Sequence, residues 1–154
     1  MEYRFIADVH LGKLTKLLRM LGFDTLYNNV FTTTQLTTIA LQQNRVLLSR
    51  NIELSKQDVT LQSFVVTHQN PYTQLQQVVG HFNLKEQFQP FTRCLVCNGM
   101  LDAVSKENIS ESLLPNTALH FNEFWQCNTC SHIYWKGSHY DRMRTLAEQI
   151  KNEG

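Results

Sequence analysis

No stretch of this sequence is apolar for long enough to cross a bilayer, so a membrane-spanning helix is not expected. Charge of one sign is also missing. Fourteen lysines and arginines stand against thirteen acids, a formal net charge of +1. Such a chain does not coat nucleic acid by bulk electrostatics, and any contact of that kind must come from a local patch. The opening Met1-Glu2-Tyr3-Arg4 meets charge too soon for a secretory leader. Low-complexity tracts are absent, and no internal repeat is visible beyond one paired motif. Cysteine is scarce as well: the 154 residues hold four. Their placement is the most informative feature of the chain.

The four fall in two tight pairs, Cys94 with Cys97 and Cys127 with Cys130, each separated by two residues. Each pair can grip one metal from a short knuckle, and a tetrahedral set of four thiolates suits zinc. The alternatives are two disulfides or unrelated buried thiols. The two-residue spacer argues against a disulfide framework, and a second matching pair argues against a redox motif. His132 is a competing ligand beside Cys130, but four thiolates already complete the shell. Metal-type thiols without a leader give an expected cytoplasmic setting. A zinc ribbon buries little core, so the metal supplies most of its folding energy.

The first ninety or so residues are long enough for a conventional core. Phe5-Ile6-Ala7 is a short apolar run stopping at Asp8. Leu11, Leu14, Leu17, Leu18 and Leu21 then recur at helical spacing, and Gly22 closes that helix. A second strand runs over Asp24 to Tyr27. The threonines at 32–34 cap a second helix, Arg45 to Ser49 forms a third strand, and Phe64 to Val66 a fourth. Pro71 to Phe82 is a further helix. Strands alternating with helices, and apolar without polar alternation, predict an α/β fold with a parallel sheet covered on both faces. Leu84 to Phe91, with Pro90, reads as a hinge. The expected division is therefore 1–88 for the sheet domain and 89–154 for a zinc ribbon with a C-terminal helix over Arg142 to Lys151. Val104 to Leu119 reads as a polar insertion between hairpins.

Sites in open parallel sheets form beyond the carboxyl ends of the strands. That rule selects Asp8 after the first strand, Asn28 and Asn29 after the second, and Ser49, Arg50 and Asn51 after the third. A carboxylate there can hold magnesium or manganese through oxygen, and such an ion can activate water for phosphodiester hydrolysis. Glu53 and Asp58 lie close downstream. From spacing alone, Asp8 serves equally as a ligand or as a cap for the helix near Leu11. Lys13, Lys16 and Arg19 form a basic stripe fit for phosphate contacts or simply for solvent. The run Tyr134-Trp135-Lys136-Gly137-Ser138-His139-Tyr140-Asp141-Arg142 suits base stacking and phosphate contact, or else it covers the ribbon core.

Taken together these residues resemble the Mut-seven C-terminal ribonuclease domain family. The likeness runs through Phe5-Ile6-Ala7-Asp8, Leu11-Gly12-Lys13-Leu14 and Leu17 to Asp24. It continues in Arg45 to Arg50, Arg93-Cys94, Cys97-Asn98-Gly99, Cys127, Cys130 and Tyr134 to Tyr140, nearly the whole chain in order. The resemblance implies a PIN-like fold with a fused zinc ribbon and a metal-dependent ribonuclease acting on RNA. It carries over Asp8 as the first acid and Lys13 and Arg19 as basic helix positions. Asp24 matches too, although it opens the second strand and so belongs to the opposite edge. The departure is at the third strand, where relatives end Thr-Arg-Asp and this chain reads Ser49-Arg50-Asn51. An amide there removes one negative charge, so a hard divalent ion binds more weakly. The expected enzyme uses Asp8, Arg50 and Asn51 at the reacting phosphate. Lys13, Lys16, Arg19, Trp135, Lys136 and His139 grip the RNA. The competing expectations are a catalytically inactive RNA-binding module of the same fold and a partner-binding adaptor.

Overall fold

Every residue of the first strand, β1 (Phe5–Ala7), is buried, as its unbroken apolar run requires. The computed structural model of the chain describes residues 2–56, 58 and 60–153. β1 pairs in parallel with β2 (Thr25–Leu26) on one side and β3 (Val46–Ser49) on the other. β3 pairs in parallel with β4 (Ser63–Val65), giving the order β2-β1-β3-β4. Parallel neighbours need crossover connections. The helices α1 (Gly12–Met20) and α2 (Thr33–Gln42) supply the first two. The short α3 (Ile52–Ser55) follows β3, and α4 (Pro71–Phe82) follows β4.

Side chains on successive strand residues point to opposite faces, and the core divides accordingly. Phe5, Ala7, Val46 and Leu48 pack with Leu14 and Leu18 of α1 and with Leu75, Val78 and Val79 of α4. Ile6 and Leu47 face the other way, onto Leu36 and Ala40 of α2 and Leu54 of α3. Local chemistry sets the helix ends. Thr32 and Gln35 form a reciprocal capping box on α2. Asn70 caps α4, which starts on Pro71. α1 ends in a Schellman turn: Phe23 donates to the Leu18 carbonyl, and Gly22 sits at φ 96°. An added Cβ at Gly22 would strike the Gln89 carbonyl.

The remaining strands, β5 (Leu101–Val104), β6 (Phe124–Cys127) and β7 (Ile133–Tyr134), form an antiparallel sheet in the order β5-β6-β7. The stretch between β5 and β6 carries the short helices α5 (Lys106–Ile109) and α6 (Pro115–His120). The closing helix, α7 (Ser138–Asn152), starts earlier than its apolar pattern indicates and leaves the ribbon. Its stripe of Met143, Leu146, Ala147 and Ile150 packs into the core under α1 and α4. The C-terminal helix thus completes the core of the N-terminal sheet. No helix among the described residues is long and apolar enough to cross a membrane.

Candidate functional site

Asp8 follows β1 at the carboxyl edge of the parallel sheet, and its main-chain N–H donates to the Leu48 carbonyl at 3.0 Å. The side chain is buried and held by three donors. Its Oδ2 accepts the Ser49 hydroxyl at 2.7 Å and the Arg50 N–H at 3.3 Å, and its Oδ1 accepts the His10 N–H at 2.9 Å. The α1 N-cap is Leu11, without a side-chain bond, so Asp8 does not cap that helix. Asp8, Arg50 and Asn51 line one pocket of about 440 Å3, joined by His10, Thr33 and Leu54. His10 is a site residue that strand-end reasoning passed over. Its only sequence signal is its place two residues after the acid.

Asn51 has a structural task here. It caps α3, with its Oδ1 accepting the Glu53 N–H at 3.0 Å, and its own N–H donates to Ser49 Oγ at 2.9 Å. Arg50 is exposed, and the ion pairs among the described residues both involve Asp24 instead. Asn28 closes a turn by accepting the Val30 N–H at 3.1 Å, outside the pocket lining, as is Asn29. Glu53 and Asp58 do not line it either. The Asp58 carboxylate is taken by the Thr60 hydroxyl and N–H, which lower its pKa. Among the described residues, no group of three or more His, Cys, Asp or Glu other than the cysteines is placed to hold a metal. Asp8 therefore offers a hard divalent ion one carboxylate. That is enough only where substrate phosphate completes the coordination, as it commonly does for magnesium.

The four cysteines are placed so that they could hold one metal ion. The sulfurs of Cys94, Cys97, Cys127 and Cys130 lie within 4.8 Å of one another, and all four residues are free thiols. Cys94 and Cys130 approach to 3.6 Å, and Cys97 and Cys127 to 3.4 Å. Four thiolates at Zn–S distances around one tetrahedral ion sit about 3.8 Å apart, so the geometry suits zinc. Asn98 and Ser131, each the residue after a knuckle's second cysteine, adopt φ of 73° and 69° and turn the chain back over the sulfurs. Gly99 is required by proximity, because a Cβ there would lie 2.7 Å from Cys127 Sγ. Burial pushes the Cys127 thiol up, but the N–H groups of Cys130 and Thr129 and the neighbouring thiols outweigh it, and the group is drawn down to about 6. Burial dominates at Cys97, which is pushed up to about 12. The Tyr134 hydroxyl lies 3.0 Å from Cys94 Sγ and accepts the Leu95 N–H at 3.0 Å. His132 stands outside the cluster.

A polar lock seats the first knuckle on the parallel sheet. Arg19, expected in an outward stripe, is buried and turned inward. Its Nε donates to the Thr25 carbonyl at 2.9 Å and its Nη1 to the carbonyls of Leu95 and Val96 at 3.0 and 3.2 Å. Buried, and with Nε and Nη1 committed to three carbonyls inside the protein, Arg19 does not stand in the outward basic stripe with Lys13 and Lys16, which corrects that expectation. Asn98 bridges as well, donating to Asp24 Oδ1 at 2.7 Å and accepting the Thr25 N–H at 3.0 Å. Asp24 also pairs with Arg45 at 2.8 Å and Arg93 at 3.8 Å. Burial alone raises the Asp24 pKa, but the hydrogen bonds from Arg45 and Asn98 and the two arginine charges bring it below its ordinary value. Asp24 is a structural acid, away from the strand edge that carries Asp8.

Between α1, the ribbon and the start of α7 lies a larger groove of about 790 Å3. Lys13, Lys16, Trp135 and His139 all line it, with Tyr134 and Arg142, while Lys136 does not. The Lys136 ammonium lies over the Trp125 and Tyr140 rings, 5.4 and 5.6 Å from their centroids.

Neither the curated proteins nor the solved structures give a match to this chain. The family described as the Mut7-C RNAse domain matches residues 3–147. That match takes in both the Asp8 strand edge and the four-thiol cluster, and with nearly the whole chain covered, the protein belongs to the Mut7-C RNase domain family.

Proposed function

We propose that this chain is a ribonuclease of PIN-like type whose divalent ion, magnesium or manganese, arrives with the RNA. The observation that carries this reading is the buried Asp8 at a parallel-strand edge, beside an exposed Arg50 in a shared pocket. Ser49 Oγ and the N–H groups of His10 and Arg50 fix the Asp8 carboxylate, so its orientation is set before substrate enters. Arg50 has the length and charge to hold a phosphate oxygen at the pocket mouth. Asn51 shapes the wall and contributes at most a neutral carbonyl, because its oxygen caps α3. His10 places an imidazole on the same pocket wall, within the site that Asp8 and Arg50 share. The ion, when bound, supplies charge neutralisation at the phosphate and an activated water. A site with one carboxylate binds such an ion weakly, so the reading includes slow turnover.

The second reading is an inactive RNA-binding module, favoured by the three donors already on Asp8 and by the amide at residue 51. Labelled single-stranded RNA incubated with zinc-loaded protein across a manganese titration separates the two. The ribonuclease reading expects cleavage that rises through millimolar manganese and disappears in Asp8→Asn. Bound but intact RNA at every manganese level establishes the second reading.

A further inference from the structure

The groove between α1 and the ribbon is separate from the Asp8 pocket, and the two share no lining residue. It is mostly apolar, and no carboxylate lines it. Lys13, Lys16 and Arg142 are exposed on its walls, with His139, so every formal charge facing it is positive. Trp135 and Tyr134 present half-buried rings. These rings are well supported. Trp135 packs with Phe121 and Phe124 at ring separations of 6.5 and 6.3 Å, and the Tyr134 hydroxyl is pinned at Cys94 Sγ.

Topology places one end of this groove. α1 leaves β1 and returns to the parallel β2, so it runs backwards along the sheet, starting at the edge that carries Asp8. Lys13, in its first turn, and Pro71, the first residue of α4 after β4, both line the groove and lie at that edge. The other end, at Leu95 and Val96, lies against the zinc knuckle.

We propose that this groove is a binding site for single-stranded RNA, holding the segment that flanks the phosphate at Asp8, with a base stacked at Trp135. The assignment rests on the RNA reading above and adds where and in what form the strand is held. An aromatic, apolar groove with cations on its walls takes splayed bases and phosphates together. A duplex keeps its base faces stacked inside and offers phosphates, 2′-hydroxyls and base edges, none of which can stack on an aromatic ring. A cleft of this volume lies in the range that encloses a ligand of drug size, which sets its capacity at a short segment rather than a long tract.

The test uses the intact zinc-loaded chain without added magnesium or manganese. Fluorescence anisotropy is measured with a labelled single-stranded RNA of about a dozen nucleotides and with the same sequence as a duplex. Single strands are expected to bind at least tenfold more tightly. Three phosphate contacts give a slope of about −2 for log affinity against log salt. Lys13→Glu with Lys16→Glu, both on the exposed face of α1, is expected to weaken binding at least tenfold and flatten that slope. Trp135→Ala is expected to cost about tenfold with the slope retained, as for loss of one stacked base. Trp135 also supports the ribbon, so the lysine pair decides the matter if the tryptophan variant does not fold. Wild-type affinity in the lysine pair overturns the proposal, and so does equal affinity for the duplex. The nuclease reading is judged separately by cleavage in manganese. Cleavage with unaltered binding by the groove variants leaves that reading standing and removes this one. Groove-dependent binding without cleavage does the reverse.

Discussion

The side-chain amide of Asn98 donates to Asp24 Oδ1 at 2.7 Å, joining a residue of the zinc knuckle to the start of β2. Around that bond, Asp24 also holds Arg45, which is itself buried, and Arg93. Removing the carboxylate leaves the buried Arg45 charge without its counter-ion, held only by neutral acceptors such as the Phe5 carbonyl and the Gln43 side chain. Asp24→Ala is expected to destabilise the chain by about 3 kcal/mol, the scale for breaking a buried pair from one side. Chemical denaturation of the two proteins measures this. A difference below about 1 kcal/mol contradicts the role given to Asp24 as a clasp.

The same group sets an acid dependence. Its folded-state pKa is below the ordinary value of 3.8, so its stabilisation is fully present above that value. It is lost as pH falls through the ordinary range and below the folded-state value. Stability measured from about pH 6 down to about pH 2 is expected to fall less steeply in Asp24→Asn than in the native chain. Parallel curves would show that Asp24 is not differentially held in the folded state.

Metal removal is expected to reach beyond the ribbon. The knuckle carbonyls of Leu95 and Val96 receive Arg19, and Asn98 receives Thr25, so loss of the thiolate cage loosens bonds made by α1 and β2. α7 leaves the ribbon to place Ala147 and Ile150 in the core of the N-terminal sheet. A chelator should therefore lower the melting temperature of the whole chain, and amide exchange should rise in α1 and α7 as well as in β5 to β7. Exchange confined to the ribbon would show two independent units.

Tyr134 tests the support behind the metal ligands. Its hydroxyl touches Cys94 Sγ and the Leu95 N–H, and its pKa is raised by burial and by that thiol. Partners of this kind typically contribute 10- to 100-fold in metal affinity. Tyr134→Phe is expected to lower zinc affinity by about tenfold in competition with a chromophoric chelator. Unchanged affinity would assign the hydroxyl to packing alone.

Much of the fold was legible because local rules and tertiary needs agree. Asn70 and Pro71 start α4 where capping chemistry places it, Gly22 ends α1, and four thiols at metal spacing meet. The pocket shared by Asp8, Arg50 and Asn51 follows from the parallel topology, since loops leaving adjacent strands emerge together. Other features depend on partners far along the chain. Arg19 has the spacing of a surface cation, yet its guanidinium meets carbonyls 76 and 77 residues away. Asp24 has the look of a family acid, but its partners are Arg45, just before β3, and Asn98 of the knuckle. α3 is one turn long and gives no periodicity to read, although its cap is the very amide that replaces the expected acid.

Asn51→Asp isolates the effect of that replacement. Aspartate caps a helix as well as asparagine does, so α3 and the fold should persist. A second carboxylate beside Asp8 should tighten metal binding and raise manganese-dependent RNA cleavage by about tenfold or more, a change equivalent to about 1.4 kcal/mol in the barrier. No gain, in a variant with native stability, would mean that residue 51 does not face the reacting phosphate.

The most direct test is manganese uptake by the zinc-loaded chain, followed by electron paramagnetic resonance with and without a non-cleavable single-stranded RNA. The free protein is expected to leave manganese in solution. The RNA complex is expected to take up one ion more than the RNA alone, and Asp8→Asn should abolish that extra ion. A resident manganese without RNA, or an extra ion that survives Asp8→Asn, would contradict a site completed by substrate at Asp8.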